Sequence, residues 1–249
     1  MNILFTICGR AGSKGIKNKN IRPFNGKLLP YYSISAIDLY LKGNDKDIDY
    51  DIAVNTDSKE LMDIMKANGL REVMLIDRKP ELSGDTVGKI AVILDSLEQM
   101  EEKKKTQYEV VVDLDITSPL RTVFDIENLI NTHIATEADV TTSVTTSRRN
   151  PYFNQVKKEI HGYKKVIESN FTARQQAPEI FDMNASLYAY KPEYLRSGKG
   201  VLDGYVECIE MYDTGILDLD HENDFELMEI IAEYLIKKNP SFREVYENI

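Results

Sequence analysis

The sequence predicts an α/β fold of three layers, in which a mostly parallel, twisted sheet carries helices on both faces. Apolar segments rich in β-branched residues alternate along the chain with segments of helical periodicity. Parallel strands need long crossover connections, and helices usually supply them. A chain of 249 residues can bury one large core. We therefore expect a single domain over residues 1–249.

Each of the first four predicted strands is followed by a segment that favours a helix. The predicted strands are Asn2–Cys8, Tyr50–Asn55, Glu72–Ile76, Tyr108–Leu114, Asp139–Thr146 and Asn184–Tyr190. The predicted helices are Pro30–Lys42, Ser58–Asn68, Val87–Lys103, Thr122–Thr136 and Glu222–Lys237. Ser58 is typical of a helix N-cap, and Gly69 is typical of a helix end.

The alternation of strands and helices stops after Ser147. Residues 148–180 begin with a turn-like segment, contain several aromatic side chains and show no clear helical period. We predict that they form an excursion through which two copies of the chain make a homodimer. A surface hairpin without a partner is the alternative.

Composition and charge exclude several classes of protein. No segment approaches the ~20 apolar residues that span a bilayer, and the first residues do not resemble a secretory signal. We therefore expect a cytoplasmic protein without a membrane partner. The formal charge of −10 argues against a nucleic-acid partner. The two cysteines, Cys8 and Cys208, are too few for a disulfide framework or a zinc site, so we interpret them as reduced thiols.

The loop after the first predicted strand has the composition of a phosphate-binding site. The chain has 41 Asp and Glu residues, yet none precedes Asp38. Glycines in this acid-free region let backbone N–H groups face an anion, and nearby cations add full charges. The candidate binding residues are Arg10, Gly12, Ser13, Lys14, Lys19 and Asn20. The spacing differs from a Walker A loop, and a solvated basic loop is the alternative.

Two further polar motifs follow predicted strands. Thr117-Ser118-Pro119-Leu120-Arg121 comes after an apolar strand and predicts either a pocket wall or a turn with Ser118 capping a helix. Asp218 and Asp220 lie in an extended segment, where alternation places both carboxylates on one side. Such a pair is suited to Mg²⁺, although Asp residues before a helix are often caps.

These motifs, taken in order, resemble the acylneuraminate cytidylyltransferases, also called CMP-sialic acid synthetases. The similarity covers nearly the whole chain. It rests on Arg10-Ala-Gly-Ser-Lys-Gly with Lys19-Asn20, on Thr117-Ser-Pro-Leu-Arg121, on Arg174-Gln-Gln-Ala-Pro, on Asn184-Ala-Ser-Leu-Tyr188 and on Asp218-Leu-Asp220. The resemblance implies a Rossmann-like nucleotidyltransferase fold. It also implies a reaction in which a nonulosonic acid attacks the α-phosphate of CTP and pyrophosphate leaves.

The resemblance also implies roles for individual residues. The triphosphate would be held by Arg10, Ser13, Lys14 and Lys19, with Gly12 and Asn20 beside the nucleotide. The base and ribose would lie near Arg78, Asp85 and Thr86. The acceptor sugar would lie near Asp115, Thr117, Ser118, Arg121, Arg174, Gln175, Asp182, Asn184 and Tyr188. Asp218 and Asp220 would hold Mg²⁺, and the residues assigned to catalysis would be Arg10, Lys19 and Asp218. No histidine is expected to be catalytic.

Two departures from the family pattern point to a particular acceptor. Asp115 stands where sialic-acid-specific members usually have Gln, and Asp182 begins Asp182-Met-Asn-Ala-Ser where many members have Arg-Pro-Asn-Gly-Ala. A carboxylate only accepts hydrogen bonds, whereas an amide also donates. We therefore predict a related nonulosonic acid, with legionaminic acid as the best candidate. The alternatives are N-acetylneuraminic acid, a 3-deoxy-manno-octulosonate-type enzyme and a nucleotide-binding protein without catalysis.

Overall fold

The computed structural model describes residues 1–12, 15–44, 48–84, 86–213, 219 and 221–249. These ranges contain eleven strands and seven α-helices. The strands are β1 (Asn2–Cys8), β2 (Pro23–Phe24), β3 (Lys27–Leu28), β4 (Asp49–Thr56), β5 (Met74–Asp77), β6 (Val110–Leu114), β7 (Val140–Thr146), β8 (Val156–Glu159), β9 (Gly162–Lys165), β10 (Phe181–Tyr190) and β11 (Val206–Glu210). The helices are α1 (Leu29–Asn44), α2 (Lys59–Lys66), α3 (Lys89–Lys104), α4 (Val123–Thr136), α5 (Pro192–Arg196), α6 (Glu222–Lys238) and α7 (Pro240–Glu247).

The central sheet has the strand order β11-β7-β10-β6-β1-β4-β5. Strand β10 is antiparallel to both of its neighbours, β6 and β7, and the other neighbouring pairs are parallel. Helices α1, α4, α6 and α7 pack together on one side, and α3 packs against α5 on the other. A separate apolar cluster lies beneath each helical layer. The predicted three-layer, mostly parallel α/β fold is confirmed.

All six predicted strands are present, with ends shifted by a few residues. Ser58 is confirmed as the N-cap of α2, because its hydroxyl accepts a hydrogen bond from the Leu61 amide at 3.2 Å. Helix α2 already ends at Lys66, before Gly69. Strand β11 and helices α5 and α7 were not predicted. Within the described ranges, no helix combines the length and the apolar composition that a bilayer-spanning segment requires.

Residues 148–180 leave the main sheet, and no α-helix is described among them. Strands β8 and β9 form an antiparallel hairpin that is a sheet of its own. Its apolar side chains face solvent, since Val156 is 59%, Ile160 94% and Tyr163 68% exposed. The base of the excursion is tied down by the Asn150 amide, which donates to the Pro178 carbonyl at 2.9 Å.

The turn out of β1 depends on a glycine at position 9. The Gly9 amide donates to the Asn55 carbonyl at 3.2 Å, which keeps the chain beside β4. A Cβ atom on Gly9 would lie 2.7 Å from Leu61 Cδ2 and 2.8 Å from Ile116 Cδ1. Both neighbours are buried in the core. The glycine therefore permits the close approach of β1, α2 and the loop after β6.

We predict that Gly9→Ala lowers the free energy of unfolding by about 1–3 kcal/mol, because an extra methyl overpacks this contact. Urea denaturation of the two proteins measures the difference. Gly43→Ala is the matched control, since a Cβ on Gly43 in helix α1 meets no atom within 4 Å. Equal unfolding midpoints for Gly9→Ala and the wild type would contradict the packing argument.

Candidate active site at the carboxyl ends of the strands

Two of the predicted motifs begin at one edge of the sheet. The glycine-rich loop follows β1, and the 115–121 loop follows β6. Strands β1 and β6 are parallel neighbours. The chain continues from β1 to β4 on one side, and from β6 to β7 on the other side. This is a topological switch point, where open α/β sheets bind ligands.

Two left-handed residues and two hydrogen bonds define the course of the glycine-rich loop. Gly12 has φ +69° and Asn18 has φ +56°, so the loop turns twice through left-handed conformations. The Asn20 amide donates to the Arg10 carbonyl at 3.0 Å. The Ala11 amide donates to an Asp57 carboxylate oxygen at 2.6 Å, which shows that this loop presents an N–H group to an anionic oxygen.

Arg10, Gly12, Lys19 and Asn20 line a small cleft together with Ser58 and Glu60. The structure therefore brings together the described members of the predicted phosphate-binding set. Ser13 and Lys14, which belong to the same predicted set, lie outside the described residues.

Arg78 lies buried just beyond the end of β5. Its guanidinium donates to Asn55 through Nε at 3.1 Å and through Nη2 at 2.8 Å. The Asn55 amide in turn donates to Asp95 and to Ser96, each at 3.1 Å. Burial lowers the pKa of Arg78. These contacts fix one edge of the guanidinium at the carboxyl end of the sheet.

The other predicted base-and-ribose residues, Asp85 and Thr86, lie in sequence between Arg78 and the start of helix α3. Thr86 is exposed. Asp85 lies outside the described residues.

Lys89, the first residue of α3, is a site residue that was not predicted. Its ammonium lies 2.6 Å from an Asp113 carboxylate oxygen and 2.7 Å from one of Asp115. Thr6 donates to the other oxygen of Asp113 at 2.8 Å. Thr117 donates to the other oxygen of Asp115 through its amide at 2.8 Å and its hydroxyl at 2.7 Å. Two carboxylates at the switch point therefore share one ammonium.

The pKa values of Asp115 and Lys89 follow from the charges around them. Burial by itself raises the pKa of Asp115, but the Lys89 ammonium and the hydrogen bonds from Thr117 outweigh burial and bring it to about 2. Burial by itself lowers the pKa of Lys89, and the two carboxylates reverse the effect and raise it. At neutral pH Asp115 is a carboxylate and Lys89 an ammonium.

A signal for Lys89 was present in the sequence. A cation in the first turn of a helix opposes the helix dipole, so it is unfavourable unless carboxylates face it. Asp113 and Asp115, at the end of an apolar strand, are those carboxylates.

Arg121 ends the 115–121 loop, and its side chain lies beneath that loop. Its side chain is fully buried, and it donates to the Ser33 hydroxyl at 2.9 Å and to the carbonyls of Asp115 and Ser118. Burial lowers its pKa to about 10. This geometry corrects the predicted sugar contact: Arg121 supports the loop from the protein side, while Asp115, Thr117 and Ser118 remain partly exposed.

The start of α4 also differs from one predicted alternative. The N-cap is Thr122 and not Ser118, because the Thr122 hydroxyl accepts from the Asp125 amide at 3.3 Å. The Asp125 carboxylate accepts from the Thr122 amide at 2.7 Å and completes a capping box. Ser118 is therefore part of the loop surface and not of the helix start.

Strand β10 carries predicted sugar-side residues next to this cluster. Tyr188 pairs with Asp113 across β10 and β6, so the two side chains share a face of the sheet. Burial raises the pKa of Tyr188, and its ring stacks on Tyr190 at 5.9 Å. Asn184 is buried, and its side-chain oxygen accepts from the Ser143 hydroxyl and from the Ser186 amide. Asn184 shapes the irregular stretch of β10 between Met183 and Tyr188.

The remaining sugar-side residues lie around the end of β7. Arg174 and Gln175 line a cleft of about 270 Å³ with Ser147 and Asn150. The Arg174 guanidinium donates to the Ser147 carbonyl at 2.9 Å. Asp182 is exposed on β10, opposite Thr145. The predicted sugar residues therefore lie in two places: beside Lys89, Asp113 and Asp115, and around the end of β7.

The predicted metal ligands, Asp218 and Asp220, lie outside the described residues. Within the part of the chain that the structure describes, no group of three or more His, Cys, Asp or Glu side chains is arranged to hold a metal ion.

His133 packs against β7, with Nδ1 3.0 Å from the Thr141 hydroxyl, and burial lowers its pKa to about 4.

The chain is similar to several known proteins in sequence and in fold. Residues 4–231 match the family model described as cytidylyltransferase. The chain is 36% identical to the post-translational flagellin modification protein B of Campylobacter coli, over 95% of each chain. It is 35% identical to the CMP-N,N'-diacetyllegionaminic acid synthase of Campylobacter jejuni, over 92% of this chain and 94% of that one. A solved CMP:2-keto-3-deoxy-manno-octonic acid synthetase, complexed with CTP, superposes with a TM-score of 0.67 at 15% identity, over 94% of this chain and 99% of that one. This structural likeness supports the fold.

We predict that Asp115 contributes about 2 kcal/mol to stability at neutral pH, because its pKa falls from 3.8 to about 2 on folding. A lowered folded pKa stabilises the protein above the unfolded pKa, and this stabilisation is lost as pH falls through about 4 to 2. The difference in unfolding free energy between wild type and Asp115→Asn, from urea titrations, should therefore narrow as pH falls from 5 to 3. Asp63→Asn, an exposed carboxylate on α2, is the control. A difference that stays constant over this range would contradict the prediction.

Proposed function

Because the chain belongs to the cytidylyltransferase family, we propose that it transfers CMP from CTP to the anomeric hydroxyl of a nonulosonic acid. The observation that carries this proposal is the meeting of the glycine-rich basic loop and the 115–121 loop at one switch point. The name of the Campylobacter jejuni relative supports the class of acceptor.

In the proposed reaction the anomeric oxygen forms a bond to the α-phosphorus of CTP. The bond from that phosphorus to the oxygen that bridges to the β-phosphate breaks, and pyrophosphate leaves with the electron pair. The hydroxyl proton passes to a base, for which Asp218 is our candidate. In-line chemistry of this kind needs positioning and charge neutralisation more than a nucleophilic side chain.

The glycine-rich loop supplies the positioning for CTP. Arg10 and Lys19 neutralise the triphosphate, and Ser13 and Lys14 complete this set. The left-handed turn at Gly12 directs N–H groups toward the phosphates. Asn20 holds the loop through its bond to the Arg10 carbonyl. As negative charge moves onto the leaving pyrophosphate, these cations and N–H groups stabilise the transition state.

The segment after β5 takes the cytidine. Asn55 fixes one edge of the Arg78 guanidinium, so this side chain can face the base and ribose without losing its orientation. Asp85 and Thr86 belong to the same segment. In this arrangement the nucleotide spans the carboxyl ends of β1, β4 and β5.

We assign the acceptor to the other side of the switch point. Asp115 is ionised and accepts hydrogen bonds, so it favours an acceptor that offers N–H or O–H donors. Legionaminic acid, a diamino sugar, offers such donors. Thr117, Ser118 and Tyr188 complete this side. Arg174 and Gln175 line the cleft at the end of β7, and Asp182 and Asn184 lie on β10.

We propose Mg²⁺ as the cofactor. Asp218 and Asp220 offer carboxylate oxygens, which are the hard ligands that Mg²⁺ prefers. When bound there, the ion supplies positive charge to the phosphate oxygens.

We further propose a cytoplasmic homodimer that contacts its partner through residues 148–180. The support for the dimer is the exposed apolar surface of the β8–β9 hairpin, where Ile160 is 94% exposed. Such a surface is costly in a monomer and is covered in a symmetric pair.

We predict magnesium-dependent release of pyrophosphate from CTP with legionaminic acid. The assay compares legionaminic, N-acetylneuraminic, pseudaminic and 3-deoxy-manno-octulosonic acids, and we expect legionaminic acid to be preferred about tenfold or more over N-acetylneuraminic acid. A preference for N-acetylneuraminic acid would overturn the choice of acceptor. Binding of CTP without release for any acceptor would overturn the reaction.

The same assay tests the proposed base. Asp218→Ala should lower kcat by about 100-fold or more, because the reaction loses both a proton acceptor and a metal ligand. Asp203→Ala removes an exposed carboxylate from the loop before β11 and should leave kcat unchanged. Full turnover by Asp218→Ala would remove that carboxylate from the mechanism.

Light scattering after size exclusion should give twice the 28.5 kDa mass of the chain. Ile160→Asp with Tyr163→Asp places charges on the proposed contact and should shift the protein toward monomer. Tyr234→Asp, at a side chain 60% exposed on α6, is the control and should stay dimeric. A wild-type protein that elutes only as monomer would disprove the dimer.

A further inference from the structure

We infer that Lys89 is a positioning residue that fixes the acceptor loop, residues 115–121, against the nucleotide segment, residues 78–88. The inference rests on the proposed function for what the two segments bind. It assigns a role to a residue outside the predicted motifs. Lys89 is not proposed to take part in bond making or breaking.

The position of Lys89 in the chain links the two segments. It directly follows the nucleotide segment, and Gly88, the N-cap of α3, offers no side chain to cap the helix. The ammonium reaches across to β6, where it lies 2.6 Å from Asp113 and 2.7 Å from Asp115. A displacement of the nucleotide segment therefore moves the group that holds the acceptor loop.

The contacts of Asp115 explain how this pair fixes the loop. One oxygen of Asp115 accepts from the amide and hydroxyl of Thr117, which closes the first turn of the loop. The other oxygen is held by Lys89. Asp115 thus cannot turn away from Thr117 without also breaking its ion pair.

The negative charges of Asp113 and Asp115 require a cation such as Lys89 between them. Asp113 is fully buried, and both carboxylates lie within reach of the same ammonium. Without that ammonium the two like charges repel each other in a poorly solvated site, and the mobile partner is the loop residue Asp115. Loss of Lys89 should therefore release the acceptor loop and leave β6 in place.

Hydrogen exchange of the protein without substrates tests this arrangement. Lys89→Met keeps the apolar stem and removes the charge, so we expect amides of residues 115–121 to exchange about tenfold faster or more. Amides of β1 and β11 should be unchanged. Lys89→Met with Asp115→Asn also removes one repelling carboxylate and should regain part of the lost protection. Unchanged exchange in Lys89→Met, or no recovery in the double variant, would overturn the inference.

Kinetics separate positioning from direct binding of phosphate. Lys89→Met should raise the KM for the nonulosonic acid about tenfold or more and change the KM for CTP less than about threefold. Lys89→Arg keeps the charge and should retain most of the wild-type affinity. An equal rise in the KM for CTP would identify Lys89 as a phosphate ligand and contradict the inference.

Lys104→Met is the matched control for both experiments. Lys104 ends the same helix and makes a similar ion pair, 2.7 Å from Asp51, at the opposite end of α3. It should change neither loop exchange nor either KM. If the wild type used no acceptor, the proposed function would fail, and the exchange experiment would still decide the role of Lys89.

Discussion

The site lies where it does because most strands of the central sheet share one direction. Six strands of the central sheet run in one direction, so the loops that leave them meet at one edge. The chain leaves β1 and β6 toward opposite sides, which opens a crevice between their loops. Gly9 permits the close packing at the base of this crevice. The glycine-rich loop and the 115–121 loop, far apart in the sequence, become neighbours because of this topology.

Charge is arranged around the crevice in two different ways. The glycine-rich loop has cations and no acidic residue of its own, which suits a polyphosphate. At the neighbouring loop two carboxylates share the Lys89 ammonium, so each of them has an ion-pair partner although they lie near a proposed anion site. The same pairing keeps Asp115 ionised and limits it to accepting hydrogen bonds. Electrostatics thus assigns phosphate to one side of the crevice and hydrogen-bond donors to the other.

Much of the fold was predictable because strands and helices carry local patterns. The buried strand Asn2–Cys8 and the cap at Ser58 are examples. The antiparallel direction of β10 was not predictable, because direction depends on pairing between distant segments. Helix α7 had a signal that was overlooked, namely Asn239 as N-cap followed by Pro240. Arg121 and Lys89 show the limit for the site: whether a cationic side chain points to solvent or into the protein depends on tertiary packing.

A crystal structure with CTP, Mg²⁺ and no acceptor would show which side of the crevice holds the nucleotide. We expect the triphosphate along the loop from Gly9 to Asn20 and the cytosine beside Arg78. We also expect Lys89 to keep its ion pairs with Asp113 and Asp115, and the crevice above Asp115 to remain open for the acceptor. A nucleotide bound elsewhere, or phosphates bound by Lys89 in place of the two carboxylates, would disprove this assignment of the two sides.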